Sequence, residues 1–335
     1  MQDFKSTIEE TLKFYREEEK RLAALIASLP KGIIKKKKVN GKEYFYLKYR
    51  KGNKVIYEYL GKEFPSKLAK QIERRKRLER ELKEIKDAIK FLTHKRIKEV
   101  ELIEPLENFF KIMTEEKLWE EGIEVIGAWC FGLYQKFLPI RKFPLRTQDL
   151  DILIPYPYHG KAFDISNYLK QLGFEEHINP DQSVFYTGYG LKIEFLAPRR
   201  GRGVDKSPYI RKLGISPQTL RFMSILFDEG ILLSISKGIK VRVPSPTTFL
   251  VHKLLVSEKR KDKGKKEKDI RQAIYTAEYV LKFERDKLVT LLSKIPSRWR
   301  KRIKRVLEGA IDLMPQEESI IFSLLTLLGD LPPKS

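Results

Sequence analysis

Two aspartates one residue apart, Asp149 and Asp151, sit in the run Arg146-Thr-Gln-Asp-Leu-Asp-Ile-Leu-Ile154. On an extended strand residues i and i+2 share a face, so both carboxylates converge on one spot while Leu150, Ile152 and Ile154 turn toward a core. Like charges held that close repel unless a cation lies between them. Hard oxygen ligands suit Mg²⁺ or Mn²⁺. A third acid, Glu194, interrupts the apolar run Leu191-Lys-Ile-Glu-Phe-Leu196. Three acids on two strands can hold a two-metal centre for phosphoryl or nucleotidyl transfer. The alternative for a lone Asp-x-Asp is a strand edge with solvated acids. The Gly-containing segment Val125-Ile-Gly-Ala-Trp-Cys-Phe-Gly132 upstream and the strand Glu downstream favour the metal site.

The elements around these residues predict an α+β fold. A helix over 103–119 and a strand over 123–126 lead into Gly127 and a helix through Tyr134. The Asp-x-Asp strand follows, then a helix near 161–172, strands at 184–187 and 191–196, and further β-like runs over 220–243. Pro244-Ser-Pro246 opens an all-helical tail, with Ser245 or Thr247 as its first cap and helices near 266–283, 285–292, 298–311 and 317–328. Lys259 to Lys266 reads as a charged connection, either a mobile loop near substrate or a plain surface link.

The N-terminal hundred residues differ. Apolar residues recur at helical steps over 3–29 and again over 66–94. Between them, Ile33 to Val39, Lys42-Glu-Tyr-Phe-Tyr-Leu-Lys-Tyr49 and Lys54-Val-Ile-Tyr-Glu-Tyr-Leu60 are β-rich, with turn signals at Asn40-Gly41 and Lys51-Gly-Asn53. The expectation is a helical hairpin with a small β-tip. Three domains follow: an arm over 1–98, a mixed sheet with flanking helices over 99–243, and a helical domain over 244–335.

Composition narrows the partners. The chain has 335 residues, 68 of them Lys or Arg against 45 Asp or Glu, a formal net charge of +23. That excess points to a polyanion, most simply a nucleic acid. A thermophile surface would explain many charges of both signs, though not the imbalance. One cysteine, Cys130, rules out an intrachain disulfide and a cysteine zinc site. A reducing, cytoplasmic setting fits, and neither a signal peptide nor an apolar stretch long enough to span a bilayer is expected.

Gly127-Ala128 after a strand, Asp149-x-Asp151, and Glu194 on a later strand together resemble the DNA polymerase β-type nucleotidyltransferase superfamily. Downstream, Val241-Arg-Val-Pro-Ser-Pro246, Phe249-Leu-Val-His-Lys-Leu-Leu255, Arg260 and Lys268-Asp269 resemble its minimal branch, which includes AbiE-type toxins. The likeness covers roughly residues 100–285. It implies that Asp149 and Asp151 bridge Mg²⁺ or Mn²⁺ ions, and that Glu194 completes the acceptor-side ion and helps deprotonate the attacking hydroxyl. It also implies that the turn at Gly127-Ala128 meets the phosphates of an NTP and that Lys253 reaches the triphosphate. The superfamily usually has Gly-Ser where this chain has Gly127-Ala128. Arg141, Lys142 or Arg146 is then expected to supply phosphate contacts, or else forms a solvated basic loop. Asp269 is expected to orient Lys253 or Arg260, and His252 to be structural.

Further basic groups suit a nucleic acid. Arg199, Arg200 and Arg202 lie in a Gly-spaced loop after the Glu194 strand. Lys35, Lys36, Lys37 and Lys38 accompany Tyr46, Tyr49 and other aromatics in the arm. Part of that aromatic set must form the small sheet's own core. The expected activity is metal-dependent transfer of a nucleotide from an NTP to an acceptor, RNA such as a tRNA 3′ end, with release of pyrophosphate. Two rivals stand beside it. One is nucleotidylation of a partner protein, which in this branch is a toxin or antitoxin. The other is a non-catalytic nucleic-acid-binding module.

Overall fold

A computed structural model describes residues 2–94, 99–141, 149–199 and 207–329 and divides the chain into two units, Met1–Ile97 and Lys98–Ser335. In the first unit, α1 (Gln2–Ala27) packs on α2 (Ser66–His94). The seam is an apolar cluster of Tyr15, Leu22 and Ile85, flanked by Leu78, Leu82 and Ile89. Arg75 closes the end of α1 by donating to the carbonyls of Ile26 at 2.6 Å and Leu29 at 2.5 Å. Carbonyls at the end of a helix have no partner further along it.

Between the helices lie β1 (Ile33–Val39), β2 (Lys42–Lys51) and β3 (Lys54–Gly61), an antiparallel meander. Its turns use positive φ at Asn40 and Gly41 and at Gly52, as hairpin turns require. The register sorts the side chains. Phe45 and Leu47 fill the buried face, which Lys36, Lys38 and Tyr49 share. Lys35, Lys37, Tyr44, Tyr46, Lys48, Tyr57 and Tyr59 share the other face. Of the candidate binding residues in this arm, Lys36, Lys38 and Tyr49 are thereby separated from Lys35, Lys37 and Tyr46.

In the second unit, α3 (Glu99–Glu115) leads through turns to β4 (Glu124–Ile126), α4 (Gly127–Phe137) and β5 (Asp149–Leu153). The expected helix over 103–119 begins earlier and stops at Glu115, because Lys117 takes a left-handed conformation. Leu118 and Trp119 are still buried. Next come α5 (Ile165–Gln171), β6 (Glu175–Ile178), β7 (Val184–Gly188), β8 (Leu191–Pro198) and β9 (Gln218–Leu220). Helix α5 is shorter than expected because Asp164 caps it, accepting from the Asn167 N–H at 2.9 Å. Strand β6 has no counterpart among the expected elements, since its Glu175-Glu-His-Ile178 lacks an apolar alternation. The β-like run over 220–243 resolves into a 3₁₀ turn, Met223–Phe227, and the hairpin β10 (Ile231–Ser236) and β11 (Ile239–Val243).

The main sheet runs β4-β5-β8-β7-β6, with β9 beside β8. Pairs β5–β8 and β8–β9 are parallel and the rest antiparallel, a mixed sheet. Leu150, Ile152, Ile193 and Phe195 are almost wholly buried.

Five helices complete the unit: α6 (Pro246–Lys259), α7 (Lys263–Phe283), α8 (Arg285–Lys294), α9 (Ser297–Leu313) and α10 (Glu318–Gly329). Ser245 caps α6 by accepting from the Thr248 N–H, while Thr247 instead donates its hydroxyl to Glu284 at 2.7 Å. Asp262 starts α7 at Lys263. Only residues 260–262 of the basic run over 259–266 therefore lie outside a helix. No described helix is long and apolar enough to cross a membrane.

Candidate active site

Strand pairing brings the acids together. Asp151 sits opposite Glu194 in the parallel β5–β8 ladder and opposite Ile126 in the β4–β5 ladder. Asp149 pairs with Lys192 two residues earlier. All three carboxylates therefore share one sheet face. Directly after β4 the chain turns at Gly127, with φ +69°. A Cβ on Gly127 would lie 2.1 Å from Oδ2 of Asp151. A side chain there would be held at positive φ and would have to push the Asp151 carboxylate aside, because the turn presses backbone against that carboxylate. Helix α4 begins there, and its N-cap residue, Ile126, offers its first N–H groups no side-chain hydrogen bond.

The electrostatics mark Asp151 as the strained member. Burial, and then the charge of Glu194, push its carboxyl up to about 7; Asp149 adds to this, while Lys253 and Lys268 oppose it. Glu194 accepts a hydrogen bond from Lys192 Nζ at 2.6 Å, and that ammonium lies 4.3 Å from the Phe185 ring centroid. A cleft of about 590 Å³ opens beside Asp149 and Lys192, lined further by Thr187, Gly188, Tyr189 and Gly190.

Helix α6 delivers Lys253. Stacking of Phe131 on Phe249, with centroids 6.1 Å apart, fixes α6 against α4, and Tyr134 donates to the Pro244 carbonyl at 2.6 Å. Lys253 is buried and donates to Asp269 Oδ1 at 2.7 Å, while Arg260 donates to Oδ2 of the same carboxylate at 3.0 Å. Burial opposes ionisation of Asp269, yet the two cations hold its carboxyl below the usual range. Lys253 thus faces Asp269 and acts on Asp151 at the same time.

Other candidates lie elsewhere. Arg141 pairs with Glu317 and Glu278 and stands over the Tyr275 ring, so the helical tail occupies the cation expected at phosphate. Arg199 directly follows β8. Lys142, Arg146, Arg200 and Arg202 lie outside the described residues. Sequence reasoning missed Lys192 and Lys268 as site residues. The signal for Lys192 was its place two residues before Glu194, which puts it on the same strand face.

Two expected results arise here. Gly127→Ala should destabilise the protein by about 1–2 kcal/mol, since it forces a β-carbon into positive φ, and should also displace Asp151 and cut activity. A variant with unchanged melting temperature and turnover would show that the Gly127–Asp151 contact positions nothing. The second concerns His252, which is buried with no hydrogen-bond partner for Nε2 among the described residues. Burial, then Lys253, push its imidazole down from 6.5 to about 3. The folded state keeps it neutral while the unfolded state takes a proton below about 6.5, so stability is lost as pH falls from there toward 3. At about 1.4 kcal/mol per pH unit, the loss reaches roughly 3 kcal/mol by about pH 4. Denaturant titrations of His252→Gln should show a flatter acid limb; an unchanged limb would remove His252 as the acid-labile group.

A family model described as Nucleotidyltransferase matches residues 104–295. A second model, a domain of unknown function (DUF6788), matches residues 8–70. No curated protein matches the chain. Among solved structures, an antigenic nucleotidyltransferase-like protein from Paracoccidioides brasiliensis aligns with a TM-score of 0.37 and 17% identity, covering 65% of this chain and 93% of that one.

Proposed function

The chain belongs to the nucleotidyltransferase family, and from that premise we propose that the Asp149, Asp151 and Glu194 face transfers a nucleotide from an NTP to an RNA hydroxyl, releasing pyrophosphate. The observation that carries the reading is the Asp151–Glu194 register pair beneath the Gly127 turn. Among the described residues no three His, Cys, Asp or Glu side chains stand gathered as a ready-made metal site. The donor set nevertheless fits a hard divalent cation. It is all oxygen, it shares one face, and its central carboxylate is driven toward protonation by burial and its acidic neighbours. Mg²⁺ or Mn²⁺ held by Asp149, Asp151 and Glu194 would neutralise the triphosphate and the leaving pyrophosphate.

The chain's own groups do the rest. Backbone N–H groups at the start of α4 receive a phosphate where the family's usual serine hydroxyl is replaced by Ala128. Lys253, held by Asp269, and Lys268 add positive charge beside Asp151. Glu194, which accepts a hydrogen bond from Lys192, would orient the acceptor hydroxyl and take its proton. The cleft next to Asp149 admits the acceptor end. RNA as acceptor is supported by the net charge of +23.

The test is incubation of the full chain with each α-labelled NTP, total RNA and Mg²⁺ or Mn²⁺. Label in RNA is expected. Label in protein alone would replace RNA by a protein acceptor, and absence of NTP binding in calorimetry would end the transfer reading.

A further inference from the structure

The outward face of the N-terminal sheet is built unlike a solvated surface. Tyr57 and Tyr59 are 46% and 55% exposed, and Ile33, Val39 and Val55, on the same face, are half exposed. An antiparallel sheet with one wet face ordinarily turns polar residues outward. Here rings line up across strands instead: Tyr46 and Tyr59 have centroids 5.5 Å apart, and Tyr44 lies 6.2 Å from Tyr59. Lys37 Nζ stands 5.3 Å from the Tyr46 centroid and 4.7 Å from that of Tyr57, and Lys48 Nζ is 5.5 Å from Tyr57. Lys35 and Arg50 share the face, and none of the strand residues on it is acidic.

An apolar protein partner would leave these ammonium groups desolvated and unpaired. A polyanion pairs with them. A duplex would use only the cations, since its bases are already stacked on one another. Unpaired bases use the rings as well, and loops and ends of RNA are where unpaired bases are presented. We infer that this face, centred on Lys35, Lys37, Tyr46, Lys48, Tyr57 and Tyr59, binds single-stranded RNA, with bases stacked on the tyrosines and phosphates on the lysines. This surface has in common with the transfer site only the nature of the partner; the residues and the measurement are separate.

The experiment is fluorescence anisotropy with the full chain and a labelled RNA of about 15 nucleotides, within the span of known single-strand platforms, beside the same RNA as a duplex and the matching single-stranded DNA. Single-stranded RNA is expected to bind most tightly. The double variant Tyr57→Ala, Tyr59→Ala should lose about tenfold or more in affinity for it while duplex binding stays unchanged. Tyr57→Phe, Tyr59→Phe should bind like the parent, because stacking needs the ring and not the hydroxyl. Lys35→Gln with Lys37→Gln should reduce the logarithmic salt slope by about 1.4, about 0.7 for each phosphate no longer neutralised. Duplex binding as tight as single-strand binding, or an alanine double variant that binds like the parent, would overturn the inference. Equal binding of DNA would overturn RNA as the occupant, and loss of self-association in the alanine variant would make the face an interface between copies. The alanine double variant should keep the parent's NTP binding in calorimetry, so failure of transfer and failure of this surface are told apart.

Discussion

Asp151→Asn is expected to reduce nucleotidyl transfer on the order of 10³-fold, the scale of removing a principal electrostatic group, while raising the melting temperature of the metal-free protein. The carboxyl of Asp151 is pushed up to about 7 by burial, Glu194 and Asp149. For an acid whose folded value is raised, the folded state holds its proton more tightly than the unfolded one. Stability is then full near pH 4 and falls as pH rises toward and through about 7. Asparagine keeps the shape and removes the charge, so the loss disappears. The side chain keeps partial contact with solvent, and screening holds the effect to about 1–2 kcal/mol, a few degrees in melting temperature. Added Mg²⁺ should reverse the order by stabilising the parent and not the variant. Scanning calorimetry across pH, with and without Mg²⁺, beside the transfer assay, checks each part. Full activity in the variant would remove the carboxylate site from the mechanism.

Lys253→Ala should be the most destabilising single change at the site, by about 3–5 kcal/mol, because it breaks a buried ion pair and leaves Asp269 with Arg260 alone. Melting should drop by roughly ten degrees or more. Nucleotide binding should weaken about ten- to a hundredfold, the effect of removing a charge-assisted hydrogen bond of about 1.5–3 kcal/mol. Structural damage and weakened phosphate binding are separated by the double variant Lys253→Met, Asp269→Asn, which leaves no uncompensated buried charge. Its melting temperature should return toward the parent's while NTP affinity stays low in calorimetry. If that variant binds NTP as the parent does, Lys253 serves packing alone.

Local periodicity carried much of this protein. The i, i+2 spacing of Asp149 and Asp151 placed both acids on one strand face before any partner strand was known, because the pleat repeats every two residues. The helices of the tail and the arm followed from apolar steps of three and four. A cap at Ser245 or Thr247 could be named from the sequence, and the structure chose Ser245. Glu194 could be named from its interruption of an apolar strand, but not placed. Its position beside Asp151 is a matter of parallel register between strands far apart in sequence, and register is fixed by burial and by the elements between. The same holds for Gly127, where glycine is required both by a backbone at φ +69° and by an oxygen of Asp151 that a β-carbon would meet. Lys192 had no role, and Lys268 stood only as part of a sequence signature, until the fold set them near Glu194 and Asp151. In the arm, the run of four lysines looked like one patch. Strand alternation sends Lys35 and Lys37 to the open tyrosine face and Lys36 and Lys38 to the other, a division that only the pairing of β1 with β2 decided.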